Sequence, residues 1–176
     1  VEPEPDAPLA MRWSIGRVAA VVAVVAIALF WLWIFSGAPK KANPDRLTDR
    51  TYAASLETRC KAALDQIDEL PSPVTIKDPE VRADQVDTVT AILDDMLDDI
   101  EADAPKQGGA AVSMKGWLKD WRTYLEDRRD FTKRLREDPT ERFLVSVSPL
   151  GDSVDKTIEI FTQVNDIPSC ATPGDI

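Results

Sequence analysis

Apolar residues in this chain fall into one unbroken run and a series of interrupted stripes. The run is VAAVVAVVAIALFWLWIF, Val18 to Phe35, with no charge inside it. At about 1.5 Å per residue it reaches roughly 27 Å, close to the ~30 Å hydrocarbon core of a bilayer. Beyond it the spacing becomes helical. Ala53, Leu56, Cys60, Ala63, Ile67 and Leu70 recur every three or four positions, so one face of a helix is apolar. That helix is expected to begin near Asn43-Pro44-Asp45, with Asn as cap and Pro in the first turn. The segment PSPVTIKDPE interrupts the pattern, and Asp78-Pro79-Glu80 is a start signal for a second helix running to about Ala102. Its inward stripe is Val86, Val89, Leu93, Met96 and Ile100.

APKQGGAAVS reads as a loop, followed by a third helix from about Met114 to Glu137. Met114, Trp117, Leu118, Trp121, Tyr124, Leu125, Phe131 and Leu135 mark its buried face, the aromatics serving as core anchors. Asp138-Pro139 stops it. RFLVSVS, Arg142 to Ser148, then alternates like a strand but has no second strand to pair with. It is expected to be an extended strap, or an edge open to a partner chain. A fourth helix spans Ser153 to Asn165, with Val154, Ile158, Phe161 and Val164 inward, and NDIPSCATPGDI is an irregular tail. The expected fold is therefore all-α. It comprises an acidic, proline-punctuated disordered head (1–14), a transmembrane helix (15–36), a linker (37–43) and a mainly helical domain (44–176) with one short strap.

The flanks of the apolar run favour a membrane reading. Arg12 and Arg17 precede it, Trp31 and Trp33 lie near its far end, and Lys40 and Lys41 follow, as headgroup layers prefer. A cleaved signal peptide is the rival, but its apolar core is usually ~7–15 residues long. Ser36-Gly37-Ala38 supplies the small residues of a cleavage site, yet Pro39 would follow the cut directly. A retained signal-anchor is the expectation. Gly16, Ala19, Ala20, Ala23 and Ala26 fall within about 120° of one another on the helical wheel, with Ile27 intruding. Small residues on one face let a second membrane helix approach closely.

Charge and cysteine decide the side. The net charge is −10, of which −9 belongs to the part after the run, so nucleic acid is a poor partner and anionic lipid is a poor partner for the domain as a whole. Counting cations around the run favours a cytoplasmic domain, because Lys40, Lys41, Arg46 and Arg50 follow it, but long domains cross largely regardless of charge. Translation from Met11 would leave MRWSIGR as a compact basic head. The two cysteines, Cys60 and Cys170, sit near the ends of the large domain. They read as a disulfide formed in an oxidising compartment, with two buried thiols as the bland alternative. An extracytoplasmic domain follows from the first reading.

Candidate chemistry is sparse. The stretch ILDDMLDDIEAD, Ile92 to Asp103, carries six carboxylates in twelve positions. Asp94, Asp95, Asp98 and Glu101 occupy the polar side of the second helix, with Asp99 and Asp103 at its edge. A hard cation needs about six convergent oxygens, more than one helix face supplies. DDMLD matches the DDxxD run with which prenyl-transferring enzymes hold magnesium, but their second acidic motif is lacking. The cluster is expected to be a solvated face. As a functional candidate it is a docking patch for a basic partner, made of Asp94, Asp95, Asp98, Asp99 and Glu101. Lys115 to Glu137 carries eight bases against five acids; if the second and third helices are antiparallel neighbours, the acidic end of one meets the basic start of the other only in part, and any pairing is at the rim and weak.

There is no histidine, which excludes His-based triads and His-ligated metals. Ser153-x-x-Lys156 has the letters of a Ser–Lys dyad but sits at a helix start, where Ser caps. No catalytic residue, cofactor or metal is expected.

The C-terminal half, from YLEDRRDFTKRLREDP through RFLVS to KTIEIFTQVNDIPSC, resembles a group of uncharacterised actinobacterial single-pass membrane proteins. Their architecture is a short head, one span and an extracytoplasmic helical domain with a cysteine near its end. Small proteins of this kind are found as accessory subunits of larger envelope assemblies, including the cytochrome bcc–aa3 respiratory supercomplex. The small-residue stripe, the unpaired RFLVSVS segment and the absence of a catalytic set, in the context this resemblance suggests, lead to the expectation of a non-catalytic accessory or scaffold subunit held in the bilayer. Its span would pack on an integral membrane protein, while its domain, strap and tail dock on that protein's exposed surface. The alternative is a free-standing surface module binding an envelope ligand or divalent cation through the acidic helix.

Overall fold

A computed structural model describes residues 14–37, 43–149 and 151–176. It divides at Ala42 into two units. The disordered head and most of the linker expected from the sequence lie outside the described residues.

The first unit holds helix α1, Ile15–Phe35. Ser14 caps it by accepting from the Arg17 N–H, and Gly37 ends it with φ +72°, a conformation that favours glycine. Its 21 residues extend about 31 Å, and it is long and apolar enough to cross a membrane. None of its side chains is buried.

The second unit is a helical module of α2 (Arg50–Asp68), α3 (Pro79–Ala102), α4 (Gly108–Glu137) and α5 (Val154–Asn165). Short 3₁₀ turns cover Pro73–Thr75 and Pro168–Cys170. No strand forms among the described residues, so the all-α expectation holds. α4 is the central element, packing on α3 along one side and α5 on another, while α2 packs on α3 and on the second 3₁₀ turn. The helical stripes read from the sequence are the core, with only Leu70 part-exposed. Along it runs an aromatic chain in which Trp117 stacks on Phe161 and meets Trp121 edge-on. Trp121 then meets Tyr124, and Tyr124 meets Phe143.

Two boundaries differ from expectation. The first module helix begins at Arg50, not near Asn43. Asn43 does cap, but it caps a turn: its Oδ1 accepts the Asp45 N–H at 2.8 Å. The helix cap is Asp49, which accepts from the N–H groups of Thr51 and Tyr52. Residues 43–49 stay non-helical because the end of α5 claims their polar groups. The Leu47 N–H donates to the buried Asn165 Oδ1 at 2.7 Å, and Asn165 Nδ2 donates to the Asp45 carbonyl. Arg46 and Arg50 donate to the carbonyls of Val164 and Asn165. Second, the loop expected at 104–113 is shorter, because Gly108 to Ser113 are already helical. Ala110 and Ala111 lie four and three residues before Met114, so they extend its stripe, and Ala110 packs on the core.

Residues 142–148 form the expected strap. Phe143 and Val145 turn to the core while Leu144 and Val147 are 65% and 66% exposed. Ser146 is tied by its N–H and hydroxyl to Asp127, and one isolated bridge joins Val147 to Ser153. Cys60 and Cys170 form a disulfide, both fully buried, with Cα atoms 5.0 Å apart and a sequence separation of 110. In the chain-entropy model a closure of that length stabilises by about 4–5 kcal/mol.

Candidate functional site

The acidic face of α3 does not project freely into solvent. α3 and α4 run antiparallel, and arginines seven residues apart on α4 reach across to it. Arg122 holds Asp94, Asp98 and Glu101 together, with 2.9 Å to the last. Arg129 takes the other oxygen of Asp94. Arg136 holds Glu80, Asp84 and Asp87 at 3.4, 2.7 and 2.8 Å. From the opposite side, Arg59 of α2 pairs with Asp99 at 3.3 Å and Asp103 at 2.8 Å. Of the five acids read as a docking patch, Asp95 alone has no ion pair among the described residues. Hydrogen bonds donated to Asp87 and Asp84 hold the Arg136 guanidinium above its ordinary pKa. For Arg122 burial works the other way, and the bonds it donates to Glu101 and Asp98 outweigh it. The face is an ion-pair ladder, and the described residues contain no group of three acids or cysteines able to hold a metal ion.

A second constellation lies deeper. Arg128 is 0% exposed and its Nε donates to Thr90 Oγ1 at 2.8 Å. Its two terminal nitrogens form a fork on Asp175, at 2.6 and 2.7 Å, and its guanidinium sits 5.8 Å from the Tyr124 ring centroid. Burial lowers the Arg128 pKa, but hydrogen bonding and attraction to Asp175 more than reverse it, so the charge persists. Asp175 is carried by the tail, and the neighbouring Ile176 packs on Ala83, Val86, Phe131 and Leu135. Together with the Cys60–Cys170 disulfide, these contacts pin the tail to the module's own core. Sequence reasoning missed Arg128 because one base among eight on α4 carries no mark of burial. The signal was positional: Arg128 falls between Leu125 and Phe131 on the apolar stripe.

The Ser153-x-x-Lys156 pair does not make a dyad. Ser153 stands at the start of α5, and the Lys156 ammonium donates to Glu159 at 2.7 Å. That bond raises its pKa, the reverse of what a general base needs.

An open apolar groove of about 320 Å³ runs between α4 and α5, floored by Trp117, Phe161 and Val164. Val112 and Ile160 are exposed at its lip, and Asp45, Asp120 and Asp152 rim it. On α1, Gly16, Ala19, Ala20, Ala23 and Ala26 are all exposed. A Cβ added at Gly16 would meet only the Ser14 hydroxyl, at 3.9 Å.

No protein-family model, no curated protein and no solved structure matches this chain.

Proposed function

We propose that the chain is a non-catalytic accessory or scaffold subunit. α1 anchors it in a membrane beside a larger envelope complex, of which a respiratory supercomplex is one instance, and the helical module stands on the extracytoplasmic side. The observation that carries this reading is α1 itself: 21 residues without a charge beyond Arg17, none of them buried. Such a surface is soluble only in lipid or against another apolar helix. The disulfide supports an oxidising compartment for the module. Polar groups that could have formed a reactive constellation are engaged in holding the module together, as the arginine ladder and the Arg128 fork illustrate. Leu144 and Val147 on the strap offer apolar contact to a neighbour.

The cation-binding alternative is weakened by the same geometry, since a metal at Asp94, Asp98 and Glu101 must first displace Arg122. Purification from native membranes in mild detergent, at native abundance, tests the proposal. A second membrane protein recovered in fixed ratio supports it. A lone monomer contradicts it.

A further inference from the structure

The module is strongly acidic as a whole, yet three exposed lysines gather at one end of it. Where α3 turns into α4, a shallow cleft of about 410 Å³ opens, floored by Met114 and Leu118. Lys106, Lys115 and Lys119 surround it, all three exposed, and their ammonium groups make no hydrogen bond or ion pair among the described residues. Of the module's other lysines, Lys61, Lys133 and Lys156 are each paired with a carboxylate on their own helix, and Lys77 is likewise unpaired among the described residues. Two further groups face the cleft, Glu101 and Arg122, paired at 2.9 Å, and Arg122 is shared with Asp94 and Asp98. The cleft therefore presents three uncommitted positive charges over an apolar floor. The neighbouring acids of α3 are engaged by Arg122 and Arg59, which leaves the three ammonium groups as the uncommitted charges of this cleft.

The cleft lies at the end where the chain enters the module. Asn43 is the module's first residue. Asp45, two residues on, accepts a hydrogen bond from Ser113 at 3.0 Å, and Ser113 stands two residues before Lys115 on α4. The seven residues between Phe35 and Asn43 allow a reach of at most about 28 Å when fully extended. An anchored α1 thus limits how far this end can stray from the bilayer surface.

We propose that this end of the module docks on the anionic headgroup layer of the membrane, with Lys106, Lys115 and Lys119 on lipid phosphates and the Met114–Leu118 floor toward the upper acyl region. The proposal rests on the anchor reading of α1. It assigns the lysine end of α4 to lipid and leaves the strap and the α4–α5 groove for protein. A basic cluster next to an anchor is a second, electrostatic membrane signal that fixes orientation as well as affinity.

The test is lysine acylation footprinting of the full chain in lipid nanodiscs, read by mass spectrometry. One disc is phosphatidylcholine alone, and the other contains phosphatidylglycerol as well. Co-elution of chain and disc on size exclusion reads the anchor separately. Lys77 is the internal control, because it precedes α3 and so lies about 36 Å away along that helix. In the anionic disc, Lys106, Lys115 and Lys119 are expected to lose roughly fivefold in reactivity, the factor matching one lysine's attraction to such a surface, while Lys77 is unchanged. Equal reactivity in both discs, with the chain in the disc, overturns the docking and leaves the anchor standing. Protection by inorganic phosphate in the phosphatidylcholine disc assigns the cleft to a free anion and overturns the lipid. A chain that never co-elutes with discs removes the anchor and the docking together.

Discussion

Arg128 shows how much of this module depends on single polar residues placed inside it. Its guanidinium has no exposure, and its three nitrogens are divided between Thr90 and both oxygens of Asp175, itself only 8% exposed. Replacing one member leaves the other charged and buried, a loss of about 3–5 kcal/mol. Arg128→Met is therefore expected to lower the urea midpoint of the full chain sharply, and Asp175→Asn to do so less. Combining the two should cost less than the sum, because neither charge is then stranded. Additive losses would mean that the pair is not coupled. Asn165 plays a comparable part at the other end, satisfying Leu47 and Asp45 at once. Neither residue was legible as structural from sequence. Hydrophobic periodicity locates positions that must be apolar, and it is silent about polar side chains whose partners lie on other elements.

At the scale of elements, the α3–α4 pair is held by apolar stripes inside and by charge at the rim. The acids that meet arginine, at 80, 84, 87, 94, 98 and 101, keep alternating spacings of four and three apart from one gap of seven. Their partners at 122, 129 and 136 repeat every seven, so both faces keep a coiled-coil register. The pattern stood in the sequence, but reading it required knowing that the two helices are antiparallel neighbours. Without that, the carboxylates look like a solvated face or a docking patch. Apolar stripes, by contrast, were legible almost completely, since burial of Val86 through Ile100 and Met114 through Leu135 depends only on each helix's own periodicity. The helix starts were less so. Asn43-Pro44-Asp45 is a fair start signal, overridden by hydrogen bonds from the end of α5.

Exposed pairs of this kind contribute little individually, but Arg122 separates three acids that otherwise repel. Arg122→Gln is expected to cost about 1 kcal/mol in chemical unfolding at low salt. Added salt should shrink that difference, and a difference independent of salt would mean that Arg122 acts through packing.

For the whole molecule, the disulfide, the Arg128 fork and Ile176 all tie the final residues onto the core, so the module is closed on itself. In the other unit, no residue of α1 is buried. That asymmetry is the basis for reading the chain as a subunit and not a free-standing binder. The small-residue face of α1 provides the most direct measurement. Ala20→Leu with Ala23→Leu adds bulk to that face without reducing hydrophobicity, and Val21→Leu with Val25→Leu does the same on the opposite face. Recovery of a partner protein in mild detergent from native membranes is then compared. The account predicts at least about a tenfold loss of partner for the alanine pair, corresponding to about 1.4 kcal/mol of packing, and full retention for the valine pair. Equal recovery from both variants, or no partner with the unaltered chain, would contradict it.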